Sequence, residues 1–311
     1  MIVPAPLRAG GTIGICAPSG PVDPARLNAA IAALRASGFD VQTSASAFSR
    51  SGYLSATDDV RARELEEMFV RDDIDAVICA RGGVGASRLL EILDTARIAG
   101  HPKPFLGFSD NTALQWLLWG RHRLVSFSGP MAVDWSGLVS EHTLRLALDV
   151  LMGDAPTDLL NGFSRDGIHV LRGTGSFAGT LLPGNLTMIN TLLGTPYLPA
   201  LDGTLLLIED VNEPPYRIDR MLFHLRNAGV LSRIGGLLCG DLDASADEAE
   251  RALVRQAVLD AMRGTSCPIV TGLPFGHGRD RMTLPVGGTV HVNLDTLTLA
   301  LRAAVTPEPS A

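Results

Sequence analysis

The sequence contains no run of about 18 apolar residues, the length that crosses a bilayer as a helix, so no membrane span is expected. Its first residues, MIVPAPLRAGGTIG, do not set a basic start before an apolar core. Pro4, Pro6 and Arg8 interrupt the stretch, and no secretory signal is read there. Positive charge is not in excess. The formal net charge is -7, which gives no electrostatic reason for nucleic acid or an anionic membrane as a partner. Cysteine is scarce: Cys16, Cys79, Cys239 and Cys267 lie far apart, and no CxxC spacing suggests zinc or a redox pair. Free thiols in a reducing cytoplasm are the expectation. Aromatic residues are also few, and three Trp and three Tyr offer no clear platform for stacking a nucleobase.

What is present fits a globular protein. The chain has 311 residues, 46% hydrophobic and 19% charged, enough for one large or two ordinary domains. Its first 130 residues alternate strand and helix patterns. GTIGICAP reads as a buried strand. Asp23 then looks like an N-cap and Pro24 like the first helical position, with Leu27, Ile31 and Leu34 as the apolar stripe. FDVQTS, DAVICA and PFLGF read as further strands. ATDDVRARELEEMFV, SRLLEILD and SDNTALQWLLWG read as helices, the first with Leu65, Met68 and Phe69 on one face. This repetition predicts an α/β fold with a parallel sheet. The stretch GDAPTDLLNGFSRDG changes character and reads as a connection. The expected division is an N-terminal domain over 1–152, a linker over 153–174 and a C-terminal domain over 175–311. The second half carries the loop LLPGN, the strand TLLLIED, the helix YRIDRMLFHLRNAG, the strands GGLLCGDL and CPIVTGLPFGHG, and short β-like runs at its end.

In parallel sheets ligands bind beyond the carboxyl ends of strands, and four polar features fall at such places. Ser109, in GFSDN, sits where a strand gives way to a helix. Either Ser109 or Asp110 caps that helix, or Ser109 is a nucleophile beside free helix N–H groups. The G-x-S-x-G elbow is incomplete here, because its second glycine is missing. RGGVGAS, from Arg81 to Ser87, is a glycine-rich turn that lets backbone amides approach a ligand, but it matches no dinucleotide or P-loop pattern. LLLIED ends a strand on Glu209 and Asp210, which are either solvated or aimed into a cleft. No histidine stands in metal-ligating spacing with them, and no metal is expected. His277 lies between two glycines in LPFGHG, where an imidazole is accessible and orientable. His224 reads instead as a packing residue of an apolar helix. The chain order Ser109, Glu209, His277 supplies a nucleophile, an acid and a base.

Across nearly its whole length the sequence resembles the LD-carboxypeptidases of serine peptidase family S66, the muramoyltetrapeptide carboxypeptidases, and the related microcin C self-immunity hydrolases. The segments that carry the resemblance are GTIGICAPSGPV, GYLSATDDVRARELEEMF, CARGGVGASRLL, PKPFLGFSDNTAL, GNLTMINTLLGTPYLP, LLLIEDVNEPPYRIDRMLFHL and PIVTGLPFGHG. The resemblance implies a Rossmann-like N-terminal domain and a smaller mixed α/β C-terminal domain. It implies a triad of Ser109, Glu209 and His277, with an oxyanion hole made by the backbone amides of Asp110 and Gly83. Arg81, Gly82 and Val84 are then expected at the substrate, with Arg81 and Arg220 the candidates to read a free carboxylate. An ion pair is the more expected role for Arg220. The implied substrate is a murein tetrapeptide ending in D-alanine, and the implied assembly is a homodimer in the cytoplasm without cofactor. Two positions depart from the family's usual pattern: Val84 stands where an aromatic residue is common, and Ser128 where HGP is common. Both bear on substrate preference. The alternatives are a hydrolase of peptidyl or aminoacyl nucleotides and a non-catalytic protein that holds a nucleotide or sugar phosphate in the glycine loop.

Overall fold

The structure is a computed structural model that describes residues 1–242 and 247–302. The last part of the expected C-terminal domain, 303–311, lies outside the described residues.

The first half builds a parallel sheet from β1 (Thr12–Cys16), β2 (Asp40–Thr43), β3 (Ala76–Cys79), β4 (Phe105–Gly107) and β5 (Ser126–Ser128), in the order β5-β4-β3-β1-β2. The strands are apolar because helices cover the sheet, and Ala76 to Cys79 has no polar side chain at all. Helix α1 (Pro24–Ala36) begins as its sequence predicts: Asp23 accepts hydrogen bonds from the amides of Ala25 and Arg26, and Leu27, Ile31 and Leu34 are buried. Helix α2 (Asp58–Val70) buries Leu65, Met68 and Phe69. SRLLEILD does not form the helix its apolar spacing suggested. A 3-10 turn occupies Ala86–Leu89, and Asp94 caps a new short helix, α3 (Thr95–Ala99), by accepting from the Arg97 amide. Leu89, Leu90 and Leu93 are buried although they lie in turns. Helices α4 (Thr112–His122) and α5 (Glu141–Met152) complete this half.

The second sheet has seven strands. Its centre is parallel: β7 (Ser176–Asn185), β8 (Leu205–Glu209), β9 (Gly236–Cys239) and β10 (Ile269–Thr271). Antiparallel strands close both edges. β6 (His169–Arg172), inside the stretch expected as a linker, pairs with β10. β12 (Thr289–Asn293) pairs with β7, and β13 (Thr298–Arg302) pairs with β12. Helices α6 (Leu186–Leu192), α7 (Pro215–Asn227) and α8 (Glu248–Ala261) lie between the strands in sequence. LLPGN is not a loop but the carboxyl end of β7. Pro183 lies past the stretch Ser176–Thr180 over which β7 pairs with β12, so its missing N–H costs no bond on that side; its carbonyl accepts from the Trp116 indole at 2.9 Å, and a Cβ on Gly184 would meet Thr112 at 2.6 Å. The two halves are also joined by strand exchange. β11 (Leu284–Val286) comes after His277 in sequence, yet it pairs antiparallel with β5 in the first sheet.

A buried arginine ties the loops at the carboxyl ends of the first sheet. Arg61 of α2 has no exposed side-chain surface. It donates to the carbonyls of Pro18 after β1, of Ala56 before α2 and of Gly85 after β3, and it pairs with Asp58. Gly85 is required at its place: its φ is 130°, and a Cβ there would sit 2.6 Å from Leu54 and 2.9 Å from Arg61. Replacing the guanidinium removes a buried donor from three carbonyls, although the Gly85 carbonyl keeps the Arg88 amide and Asp58 keeps the Arg88 side chain. Arg61→Met is therefore expected to lose roughly 2–4 kcal/mol of stability through the lost buried hydrogen bonds, read as a lowered midpoint in chemical denaturation. A wild-type midpoint in that variant would show that these loops are held by other contacts.

Candidate active site

Ser109 stands immediately after β4, at the start of a 3-10 turn, Ser109–Asn111, that feeds into α4. Its φ is 60°, a left-handed conformation that few non-glycine residues adopt. Neighbours hold it there. Asn111 donates to the carbonyls of Phe108 at 3.1 Å and Arg81 at 3.3 Å, and accepts from the Ser19 hydroxyl at 3.2 Å. Asp110 accepts from the Ala86 amide at 2.8 Å, so its side chain fastens the glycine-rich loop to the serine turn. The polar Ser-Asp-Asn cluster thus does more than start a helix: two of its members bind the loops on either side.

The glycine loop comes very close to the serine. A Cβ on Gly82 would lie 3.0 Å from Ser109 Cβ and 3.3 Å from its Oγ, so a side chain there would have to push the serine aside by a few tenths of an ångström. The Gly82 carbonyl accepts from the Gly20 amide at 3.2 Å, and Gly83, at φ 115°, passes beside Gly20. Arg81 is exposed and donates to the Pro21 carbonyl at 3.2 Å. Val84 is 57% exposed at the tip of the loop.

His277 and Glu209 arrive from the second half. His277 Nε2 is 3.2 Å from Ser109 Oγ, and its Nδ1 is 2.7 Å from Glu209 Oε2. Three side chains separated by up to 168 residues therefore form one hydrogen-bonded series. Glu209 ends β8 and is completely buried. Burial pushes its carboxyl above the usual range, while the hydrogen bonds from His277 and Asn185 oppose that rise. Phe108 packs against the imidazole with ring centres 4.9 Å apart and meets Phe275 edge-on at 5.5 Å. Chemically, the imidazole can take the serine proton through Nε2 while the carboxylate holds the other ring nitrogen.

The second carboxylate of LLLIED has a different place. Asp210 accepts from the amide and hydroxyl of Thr187 at 2.9 and 2.8 Å, and from the Val211 amide at 2.9 Å. Asn185 joins the two acids, donating to Glu209 at 3.1 Å and to Asp210 at 3.0 Å while its own oxygen caps α6 at Met188. An asparagine before a helical pattern is readable as a cap, but its grip on Glu209 depends on β7 lying beside β8. Arg61 and Asn111 were likewise not legible as site residues. Arg220 stacks on Tyr216 at 5.7 Å rather than forming the ion pair expected of it, and the partner of Glu213 is Arg217 at 3.2 Å. His224 is exposed and bonds Asn190 at 3.0 Å, so it is not a core packing residue. Among the described residues, no group of three or more His, Cys, Asp or Glu is arranged to hold a metal ion, and no helix is long and apolar enough to cross a membrane.

Residues 13–129 match the LD-carboxypeptidase N-terminal domain of peptidase family S66, and residues 178–292 match the LD-carboxypeptidase C-terminal domain. A probable murein peptide carboxypeptidase of Bacillus subtilis (strain 168) is 34% identical over 97% of this chain and 95% of its own length. The crystal structure of a muramoyltetrapeptide carboxypeptidase from Oxalobacter formigenes superposes with a TM-score of 0.79 at 33% identity, covering 93% of this chain and 97% of that one. The microcin C7 self-immunity protein MccF, in complex with glutamyl sulfamoyl guanosine, shares the fold at a TM-score of 0.86 and 22% identity, covering 98% of this chain and all of the other. With both domain matches in chain order and a relative of this identity along its whole length, the chain belongs to the LD-carboxypeptidase family, peptidase family S66.

Proposed function

We propose that this protein is a serine carboxypeptidase that cleaves the L,D-peptide bond of murein tetrapeptides and releases their terminal D-alanine. The observation that carries this reading is the hydrogen-bonded series from Ser109 through His277 to Glu209. The relatives named for murein peptides and muramoyltetrapeptides supply the substrate class.

In this reading His277 Nε2 removes the hydroxyl proton as Ser109 Oγ attacks the carbonyl carbon before the D-alanine. The imidazolium that forms lies against the Glu209 carboxylate. The tetrahedral oxyanion is met by backbone amides, for which Gly83 and Asp110 are proposed, each donor worth about 3 kcal/mol by precedent. His277 returns the proton to the leaving nitrogen and D-alanine departs. Water, deprotonated by the same imidazole, then attacks the acyl-serine ester and frees the shortened peptide. Arg81, exposed beside the serine loop, is the proposed partner of the free carboxylate, and Gly82 and Val84 line the entry. Val84 and Ser128 are proposed to influence which peptide is preferred. Work in a cytoplasm and as a homodimer belongs to the same reading. Four free cysteines, three of them buried, suit a reducing compartment.

Ser109→Ala is expected to abolish D-alanine release from a free or UDP-linked tetrapeptide, with the circular dichroism spectrum and melting curve unchanged. Full release by that variant would remove Ser109 from the chemistry. Glu209→Gln keeps the size of the side chain but not its charge, and is expected to lower kcat by roughly 1,000- to 10,000-fold. Glu213→Ala, which breaks only the pair with Arg217, is expected to lower it by less than about tenfold. Steady-state kinetics on the two variants decides which carboxylate serves the imidazole.

A further inference from the structure

The segment that follows His277 carries a charged pair that the reaction described above does not use. Arg281 and Asp134 are both buried, and their side chains meet at 3.5 Å. Asp134 belongs to the 3-10 turn Ala132–Ser136 of the first domain, where it also accepts from the Met131 amide at 2.7 Å. Arg281 donates to the Gly278 carbonyl at 3.4 Å, one residue past the histidine. Its backbone amide donates to Thr143 of α5 at 2.9 Å, and the Arg279 carbonyl accepts from the Ser140 amide at 3.0 Å. The histidine arrives from the second half of the chain, and these contacts dock its segment on the first.

Arg281 also shares a neighbour with the imidazole. The Arg281 guanidinium stands 5.0 Å from the centre of the Phe108 ring, and the His277 ring centre is 4.9 Å from that same ring. Phe108 therefore touches both a buried cation and the imidazole, which puts the two within about 10 Å of each other. The other charged groups around His277 are Glu209 of β8, bonded to Nδ1, and Asp241 after β9, which lies against Gly276 and Gly278. Asp210 is turned to Thr187, and Arg279 and Asp280 in the same segment are exposed. Burial pushes the Asp134 carboxyl above the usual range, and the charge of Arg281 opposes that rise.

We propose that the Arg281–Asp134 pair positions His277: it anchors the histidine segment to the first domain, and it neutralises a cation that would otherwise face the imidazole. Its role in turnover rests on the proposed carboxypeptidase reading, whereas its effect on the imidazole does not. Asp134→Asn preserves the hydrogen bond from Met131 and leaves Arg281 uncompensated. A lone cation at no more than about 10 Å disfavours the imidazolium, so the titration midpoint of the His277 ring is expected to fall by about half a pH unit to one unit. Histidine ring signals followed by NMR across pH, with His277 assigned through His277→Gln, measure this without any substrate. A midpoint that stays in place or rises in Asp134→Asn would overturn the charge-balancing role. In turnover of the tetrapeptide, Arg281→Met is expected to lower kcat about tenfold or more with KM within about twofold, because the base is misplaced while binding is kept. Arg281→Lys is expected to recover most of that loss. Wild-type kcat in Arg281→Met would overturn the anchoring role. If the unsubstituted protein releases no D-alanine at all, the carboxypeptidase reading fails, and the NMR titration still decides the charge-balancing half of the proposal.

Discussion

A carboxylate with no contact to water must find its hydrogen bonds inside the protein, and at Glu209 that requirement organises both halves of the chain. One oxygen takes Asn185 from the neighbouring strand; the other takes His277 from a loop that closes against the first domain. Because the imidazole is held by its far nitrogen, its near nitrogen points at Ser109. Neither half of the chain contains all three groups, so their meeting depends on how the two sheets are joined.

The serine side is built on backbone geometry rather than on side-chain charge. A left-handed residue just beyond β4 lies against a glycine whose Cβ would crowd it. That conformation is unfavourable by itself and persists because its surroundings over-determine it. Asn111 and Asp110 hold the turn from both flanks, and Arg61 fastens the loops behind it. The backbone is therefore held from several sides where the hydroxyl sits, while Arg81 and Val84 of the glycine-rich loop are exposed.

Much of this was legible from local pattern. Strand ends, a glycine-flanked histidine and a serine at a strand-to-helix seam are short-range signals, and they mark the residues that meet. The misses have physical causes. SRLLEILD has helical apolar spacing, yet Asp94 offers a cap in its last position and the chain restarts there as α3. LLPGN carries two residues that usually break strands, but the flank of α4 needs a small residue at Gly184 and donates a bond to the Pro183 carbonyl. Asn185, Arg61 and Arg281 act across tertiary contacts, and nothing within a few residues of each reveals its partner. His224 read as a core residue from the apolar helix around it, whereas it faces outward to Asn190.

β11 has a consequence for how the molecule can be divided. The chain leaves the first sheet after β5, builds the second, and returns to add one antiparallel strand beside β5 before going back. A fragment ending anywhere ahead of residue 284 would lack that returning strand and present the unpaired rim of β5, an invitation to self-association. The strand that finishes the first sheet thus falls inside the C-terminal domain match, residues 178–292. The first module is completed by the second, as in a garment whose last stitch passes through the first panel.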